Sequence, residues 1–201
     1  MIWYKSLRLP LLLVGLVICA TRTQATSITD PDSRLRLNNA YEGEKPIVFP
    51  TPPADLSRLF YVQRMPNINT LIYELNIDKE TGKPNEDAPV HPYWIRYADK
   101  GQKEELNYVQ RKFAYGLVQK KTGEDKYDIR FVSYKKFPLT LMKGADGKYH
   151  IFATVAQKLM ALSYIFIKIE GGSFWLPNIV YVEMRGNDPV TGKEITERFK
   201  P

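Results

Sequence analysis

The chain has 201 residues, of which 44% are hydrophobic and 25% are charged, and its formal net charge is +7. This length is sufficient for one domain with a substantial core. Because lysines and arginines are interleaved with acidic residues, the basic excess is typical of a solvated mixed surface, and we expect no nucleic-acid partner.

The N-terminal segment has the pattern of an export signal. Lys5 and Arg8 precede an apolar run, Leu9 to Ala20, which is shorter than the roughly 20 residues that a membrane-spanning helix needs. Small residues, Thr23 and Ala25, then stand where a signal peptidase requires them. We therefore predict a signal peptide over residues 1–25, cleavage after Ala25, and a periplasmic or secreted product.

Lipidation at Cys19, the only cysteine, is the alternative route and would give an outer-membrane lipoprotein with peripheral membrane association. The bulky Ile18 stands where a lipidated cysteine is usually preceded by a small residue, so we prefer cleavage after Ala25. That cleavage removes three basic residues and no acidic ones, which lowers the net charge to +4. It also leaves no cysteine for a disulfide, so stability must come from a hydrophobic core.

Residues 26–55 contain five prolines among polar residues and are predicted to form an extended lead-in that could lie as a strap on the domain. Residues 56–201 are predicted to form a single β-rich domain. Alternating apolar and polar residues, separated by turn signals, indicate about nine strands, with 194–199 as a further candidate. These strands cover residues 59–64, 70–77, 90–97, 117–121, 126–134, 138–143, 149–156, 159–170 and 179–185.

One helix is predicted between the third and fourth strands, over residues 102–114. Its apolar residues Leu106, Val109 and Phe113 repeat at helical spacing, and Gly116 follows as a C-cap. The predicted fold class is therefore mainly β, an antiparallel meander closed into a barrel or a sandwich, with one α-helix inserted.

Short segments along the domain carry a resemblance to a known family: 59–64 (LFYVQR), 67–73 (NINTLIY), 92–97 (PYWIRY), 105–107 with 110–111 (ELN and QR), 114–116 (AYG), 174–175 (FW) and 181–183 (YVE). With these segments the chain resembles exported bacterial proteins that are grouped as domain of unknown function 4833. The resemblance covers residues 57 to about 198 and implies no particular activity.

Polar residues gather in the first half of the domain, and five of them form the candidate ligand-binding set: Gln63, Asn69, Trp94, Arg96 and Gln110. Strand alternation places Trp94 and Arg96 on one face, where a guanidinium beside an indole can grip a carboxylate or simply stabilise the sheet. Gln110 falls within the apolar stripe of the predicted helix, and we expect its amide to bond near Gln63 or Asn69. That network either joins helix to sheet or lines a polar cavity for a small ligand.

The sequence offers little support for metal or catalytic chemistry. His91 and His150 have no partners at metal-ligand spacing, so we expect no metal and no cofactor. The catalytic residues are unknown. The strand carboxylates Glu74, Asp128 and Glu183 could pair as acid and base in a hydrolase only if the fold brought two of them together.

Three functions follow as hypotheses. We prefer a non-enzymatic exported domain that binds a small molecule or a protein partner at the cell envelope. An envelope hydrolase using strand carboxylates is the first alternative. An envelope assembly or scaffold protein, which would present a large exposed apolar patch, is the second.

Overall fold

Eleven strands and one short helix make up the part of the chain that the computed structural model describes, residues 47–173 and 176–201. The first half contains β1 (Arg58–Arg64), β2 (Asn67–Leu75), β3 (Val90–Ile95), β4 (Lys103–Glu105) and the helix α1 (Tyr108–Phe113). The second half contains β5 (Leu117–Gly123), β6 (Lys126–Phe131), β7 (Tyr134–Lys143), β8 (Tyr149–Val155), β9 (Lys158–Gly172), β10 (Pro177–Asn187) and β11 (Glu194–Phe199).

The mainly β class, with one helix among the strands, is confirmed. The helix is shorter than predicted because the segment Lys103–Glu105 pairs with β3 as the short strand β4. The predicted signal peptide, its cleavage after Ala25, the alternative lipidation at Cys19 and most of the predicted lead-in lie outside the described residues.

The strands form one sheet in the order β4-β3-β2-β1-β9-β8-β7-β6-β5, with β10 on the opposite edge of β9 and β11 beyond it. All strand pairs are antiparallel except β1 with β9, which are parallel. The long strand β9 pairs with β8 through residues 158–161 and with β1 through residues 164–167. The chain order is therefore a meander whose first and second halves meet side by side on β9.

A bulge in β9 marks the point where its partner changes from β8 to β1. Leu162 and Tyr164 oppose consecutive residues of β10, which leaves Ser163 as the extra residue, and the Ser163 hydroxyl donates to the carbonyl of Arg185 at 3.1 Å. An extra residue reverses the alternation of a strand. Leu162 and Ile165 consequently both face the core, although they are three residues apart.

The core occupies the inner face of the curled sheet, and strand alternation explains which residues fill it. In β6, Tyr127 and Ile129 are buried while Asp128 and Arg130 are paired with each other at 2.9 Å on the opposite face. At the centre of the core, Phe60 stacks on Tyr73 with ring centroids 4.5 Å apart. The sequence pattern of alternating residues thus predicts the buried face correctly here.

The Gln119 side chain joins β5, at one end of the strand order, to β3, near the other end. The amide of Gln119, on the terminal strand β5, accepts from the Val90 N–H at 2.8 Å and donates to the Val90 carbonyl at 2.9 Å. Both backbone groups of Val90 therefore point away from β2. Pro92, two residues further along β3, has no N–H to donate, and its nitrogen lies on this same edge of β3. Gln119 thus replaces a missing strand neighbour for β3.

The end of the lead-in lies against the outer face of the sheet. The Phe49 ring packs edge-on against Phe166, with centroids 5.4 Å apart. The Pro50 carbonyl accepts a 2.7 Å hydrogen bond from the Gln63 side chain, and the Pro53 carbonyl accepts from Arg58. This part of the lead-in is therefore a strap on the domain.

Candidate functional site

A large apolar cavity of about 410 Å³ opens on the inner face of the sheet. Tyr73 and Phe131 lie at its base, next to the buried ring of Phe60. Its walls come mainly from β9, β10 and β11, through Ile165, Ile167, Ile169, Ile179, Val182, Met184 and Phe199. This volume and apolar lining are typical of small-molecule sites in proteins.

The cavity reaches solvent beside the helix and the start of β10. Two of the residues that line it, Phe113 and Leu176, are 51% and 80% exposed. Phe113 ends α1, whose N-terminus is closed by a capping box between Asn107 and Gln110. The helix therefore contributes to the mouth of the cavity rather than to the core, and none of its own residues is buried.

One part of the lining is polar and contains Arg64, Trp94 and Tyr115. The guanidinium carbon of Arg64 lies 5.8 Å from the Trp94 ring centroid and 5.1 Å from that of Tyr115. The two rings meet edge-on, 5.1 Å apart. The cation is thus held against two aromatic faces, an arrangement that favours a positive charge.

A hydrogen bond to the backbone of Tyr115 also holds the polar end of the cavity in place. The Tyr73 hydroxyl donates to the carbonyl of Tyr115 at 2.9 Å, which fixes the segment after α1 over β2. Burial raises the pKa of Tyr115 above its ordinary value, although the charges of Arg64 and Arg96 act in the opposite direction. The Tyr115 hydroxyl consequently keeps its proton at neutral pH.

Two donors at this end lack a partner. Among the described residues, the buried Nε of Arg64 and the buried Nε1 of Trp94 have no hydrogen-bond acceptor. Trp94 is only 1% exposed, so bulk water does not reach its ring freely. A buried polar group without a partner costs about 1–3 kcal/mol, and its presence in a cavity requires an explanation.

The structure does not bring the five predicted ligand-binding residues together. Of these, Trp94 lines the cavity. Gln63 lies on the other face of β1 from Val62 and Arg64. It is 3% exposed, and its amide nitrogen donates to the Pro50 carbonyl and to the Thr70 hydroxyl. Gln63 therefore joins the strap to the sheet.

Asn69, Arg96 and Gln110 also have partners of their own. Asn69 accepts from the Ala98 N–H at 2.8 Å. Gln110 does not reach Gln63 or Asn69 as expected. Its side chain instead accepts from the Asn107 N–H at 3.1 Å, because the shorter helix makes Gln110 part of the capping box.

Arg96 stacks on Trp94, with its guanidinium carbon 5.0 Å from the ring centroid. Its charge is compensated by Glu104, which accepts at 2.9 Å from Nε and at 2.5 Å from Nη2. Strand alternation thus predicts the Arg96 and Trp94 neighbours correctly. The second arginine at this indole, Arg64, has no carboxylate partner within the described part of the chain.

The three strand carboxylates bind separate cations. Glu74 pairs with His91 at 2.9 Å and with Lys103 at 3.0 Å. Asp128 pairs with Arg130, and Glu183 is held by Arg185 and Arg198, each at 2.6 Å. They belong to β2, β6 and β10, of which no two are hydrogen-bonded neighbours, so no pair faces another across a ladder.

Both histidines hydrogen-bond to carboxylates, His91 to Glu74 and Glu105 and His150 to Asp146. Within residues 47–173 and 176–201, no group of three His, Cys, Asp or Glu side chains is placed to hold a metal ion. The same residues include no helix long and apolar enough to span a membrane.

Sequence reasoning missed Arg64 and Tyr115 as cavity residues. The available signal was alternation along β1, which places Arg64 on the same face as the buried Phe60 and Val62. An arginine that continues an apolar face points toward the interior of the domain, where its charge needs a partner. The location of Tyr115 over β2 depends on the path of the chain after α1 and had no such signal.

The fold and the cavity define a mainly β domain whose curled sheet surrounds an apolar pocket with one cationic end. A family model, domain of unknown function (DUF4833), matches residues 60–198 of the chain. The chain therefore belongs to this family, in agreement with its sequence resemblance. No curated protein and no solved structure matches it.

Proposed function

We propose that this domain is a non-enzymatic binding protein that accommodates a small, largely apolar molecule in the inner cavity. The observation that supports the proposal is the cavity itself. It has the volume of a ligand site, and aliphatic and aromatic side chains from at least five strands line it. Burying apolar ligand surface there is favourable by about 25 cal/mol per Å².

The distribution of charged groups favours binding over catalysis. Each of the three strand carboxylates is neutralised by its own cations. General acid–base work requires groups within hydrogen-bond reach of one reacting atom, and the apolar cavity is lined by none of these three carboxylates.

We place this binding activity at the bacterial cell envelope as part of the same proposal. Its support is the sequence of residues 1–25, with basic residues, a short apolar run and a small-residue cleavage motif ending at Ala25. A measurement of the N-terminal residue of the protein recovered from the periplasm or the medium tests this part. Thr26 is the expected first residue, and a lipidated Cys19 would contradict it.

Binding is tested by titration with an uncharged fluorescent probe, N-phenylnaphthylamine, which brightens in apolar surroundings. We expect saturable binding to the full chain. The variant Ile167→Trp adds a large side chain to the lining of the cavity and should weaken binding at least about tenfold, a change of about 1.4 kcal/mol.

The matched control is Thr154→Trp, which adds the same indole at an exposed position of β8. It should bind the probe as the unmodified protein does. Equal effects of the two substitutions, or probe fluorescence that does not saturate, would overturn the proposed function.

A further inference from the structure

We infer that the bound molecule is an amphiphile with an apolar chain and an anionic carboxylate head, and that Arg64 and Trp94 recognise the head. This inference rests on the proposed function and specifies its ligand class. It follows from the polar end of the cavity, which the apolar lining alone does not explain.

The unpartnered groups at that end can only donate. An indole nitrogen and a guanidinium nitrogen each carry hydrogen and have no acceptor capacity. Arg64 Nε and Trp94 Nε1 are both buried, and neither has an acceptor among the described residues. Both residues line the cavity, and a carboxylate bound there, with two acceptor oxygens, satisfies both donors once the two side chains reorient toward it.

Charge selects an anion over a neutral acceptor. Arg96, on the same indole, is already compensated by Glu104 at 2.5 Å. Arg64 forms no ion pair within the described residues, and its guanidinium lies over the rings of Trp94 and Tyr115. Next to an apolar cavity, its charge interacts more strongly with an opposite charge than it would in water.

The remainder of the cavity fits the apolar part of such a molecule. The rest of the lining is mostly apolar and includes Ile169, Ile179 and Phe199, with Phe137 stacked on Phe199 at 5.8 Å. A ligand with one charged end and one long apolar end matches this polarity. A ligand charged at both ends would place a charge against these walls without a partner.

The test compares decanoate with decanol, which share a chain and differ in the head group, as competitors of N-phenylnaphthylamine at neutral pH. We expect decanoate to bind the full chain about tenfold to a hundredfold more tightly than decanol, as expected for hydrogen bonds to a charged group. The variant Arg64→Met should abolish this preference while decanol still displaces the probe. Trp94→Phe should reduce the preference in part.

Arg96→Met is the matched control, because it removes a guanidinium from the same indole but one that Glu104 already neutralises. Its preference for decanoate should equal that of the unmodified protein. Equal affinity for decanoate and decanol would overturn the inference, because water rather than a carboxylate would then satisfy Arg64 and Trp94. The proposed function would remain intact in that case. Failure of both compounds and of the probe would overturn the proposed function itself.

Discussion

Removal of the Gln119 side chain should show how much the link between β5 and β3 stabilises the curled sheet. In Gln119→Ala, the N–H and the carbonyl of Val90 lose the hydrogen bonds at 2.8 Å and 2.9 Å that Gln119 gives them. Val90 is 1% exposed, and each unsatisfied buried group costs about 1–3 kcal/mol. Because the two bonds are only partly buried, the lower half of that range applies. For the two groups together we expect a loss of about 2–4 kcal/mol.

The assay is equilibrium unfolding in urea, followed by far-ultraviolet circular dichroism and interpreted with a two-state model. Gln102→Ala is the matched control, because its side chain makes one exposed bond, to the Lys100 N–H at 3.1 Å. It should change the free energy of unfolding by less than about 0.5 kcal/mol. Equal losses in the two variants would refute the structural role of Gln119. Faster hydrogen exchange at the Val90 amide would support it.

Two further predictions concern β10. Burial would raise the pKa of Glu183, but hydrogen bonds from Arg198 and Arg185 outweigh it and hold the pKa below its ordinary value. The ion pair therefore stabilises the fold above the unfolded-state pKa near 4.3, and this contribution is lost as the pH falls through the lower folded-state pKa. Glu183→Gln should lower the free energy of unfolding by about 1–2 kcal/mol at neutral pH; the loss is no larger because both arginines are half-exposed. Below pH 4 the loss should become progressively smaller. A pH-independent difference in urea unfolding would contradict this prediction. Gly186→Ala would place a Cβ 2.3 Å from the Ala161 carbonyl oxygen and should lower the melting temperature by several degrees. Gly123→Ala is the control, because its Cβ would have its nearest contact at 3.7 Å, and it should not lower the melting temperature. Equal melting temperatures of the two variants would contradict the reasoning.

The strands themselves could be predicted because alternation is a local property. The side chains of β6 alternate in the sequence as they do in the structure, with Tyr127 and Ile129 inside. The predicted helix was wrong in its first residues for an equally physical reason. The segment Lys103–Glu105 has charged residues that suit a helix surface, but the free edge of β3 pairs with it and overrides this preference.

The candidate site was predicted only in part. The Arg96 and Trp94 pair follows from spacing along one strand, and the structure places the two in contact. Whether an arginine is neutralised depends on residues from other strands. Glu104 reaches Arg96 because β4 pairs with β3. Of the two arginines at Trp94, Arg64 is therefore the one without a carboxylate partner among the described residues.

The amino-acid sequence by itself determined the class of this domain, because apolar residues at every second position can be buried only on one face of a sheet. It also determined the family to which the chain belongs. Tertiary structure decided the parallel pairing of β1 with β9, the bulge at Ser163 and the closure by Gln119. These features join residues that are far apart in the chain, so they stabilise the fold only once the sheet has curled and brought those residues together. The cavity and its cationic end at Arg64 are products of that same curvature.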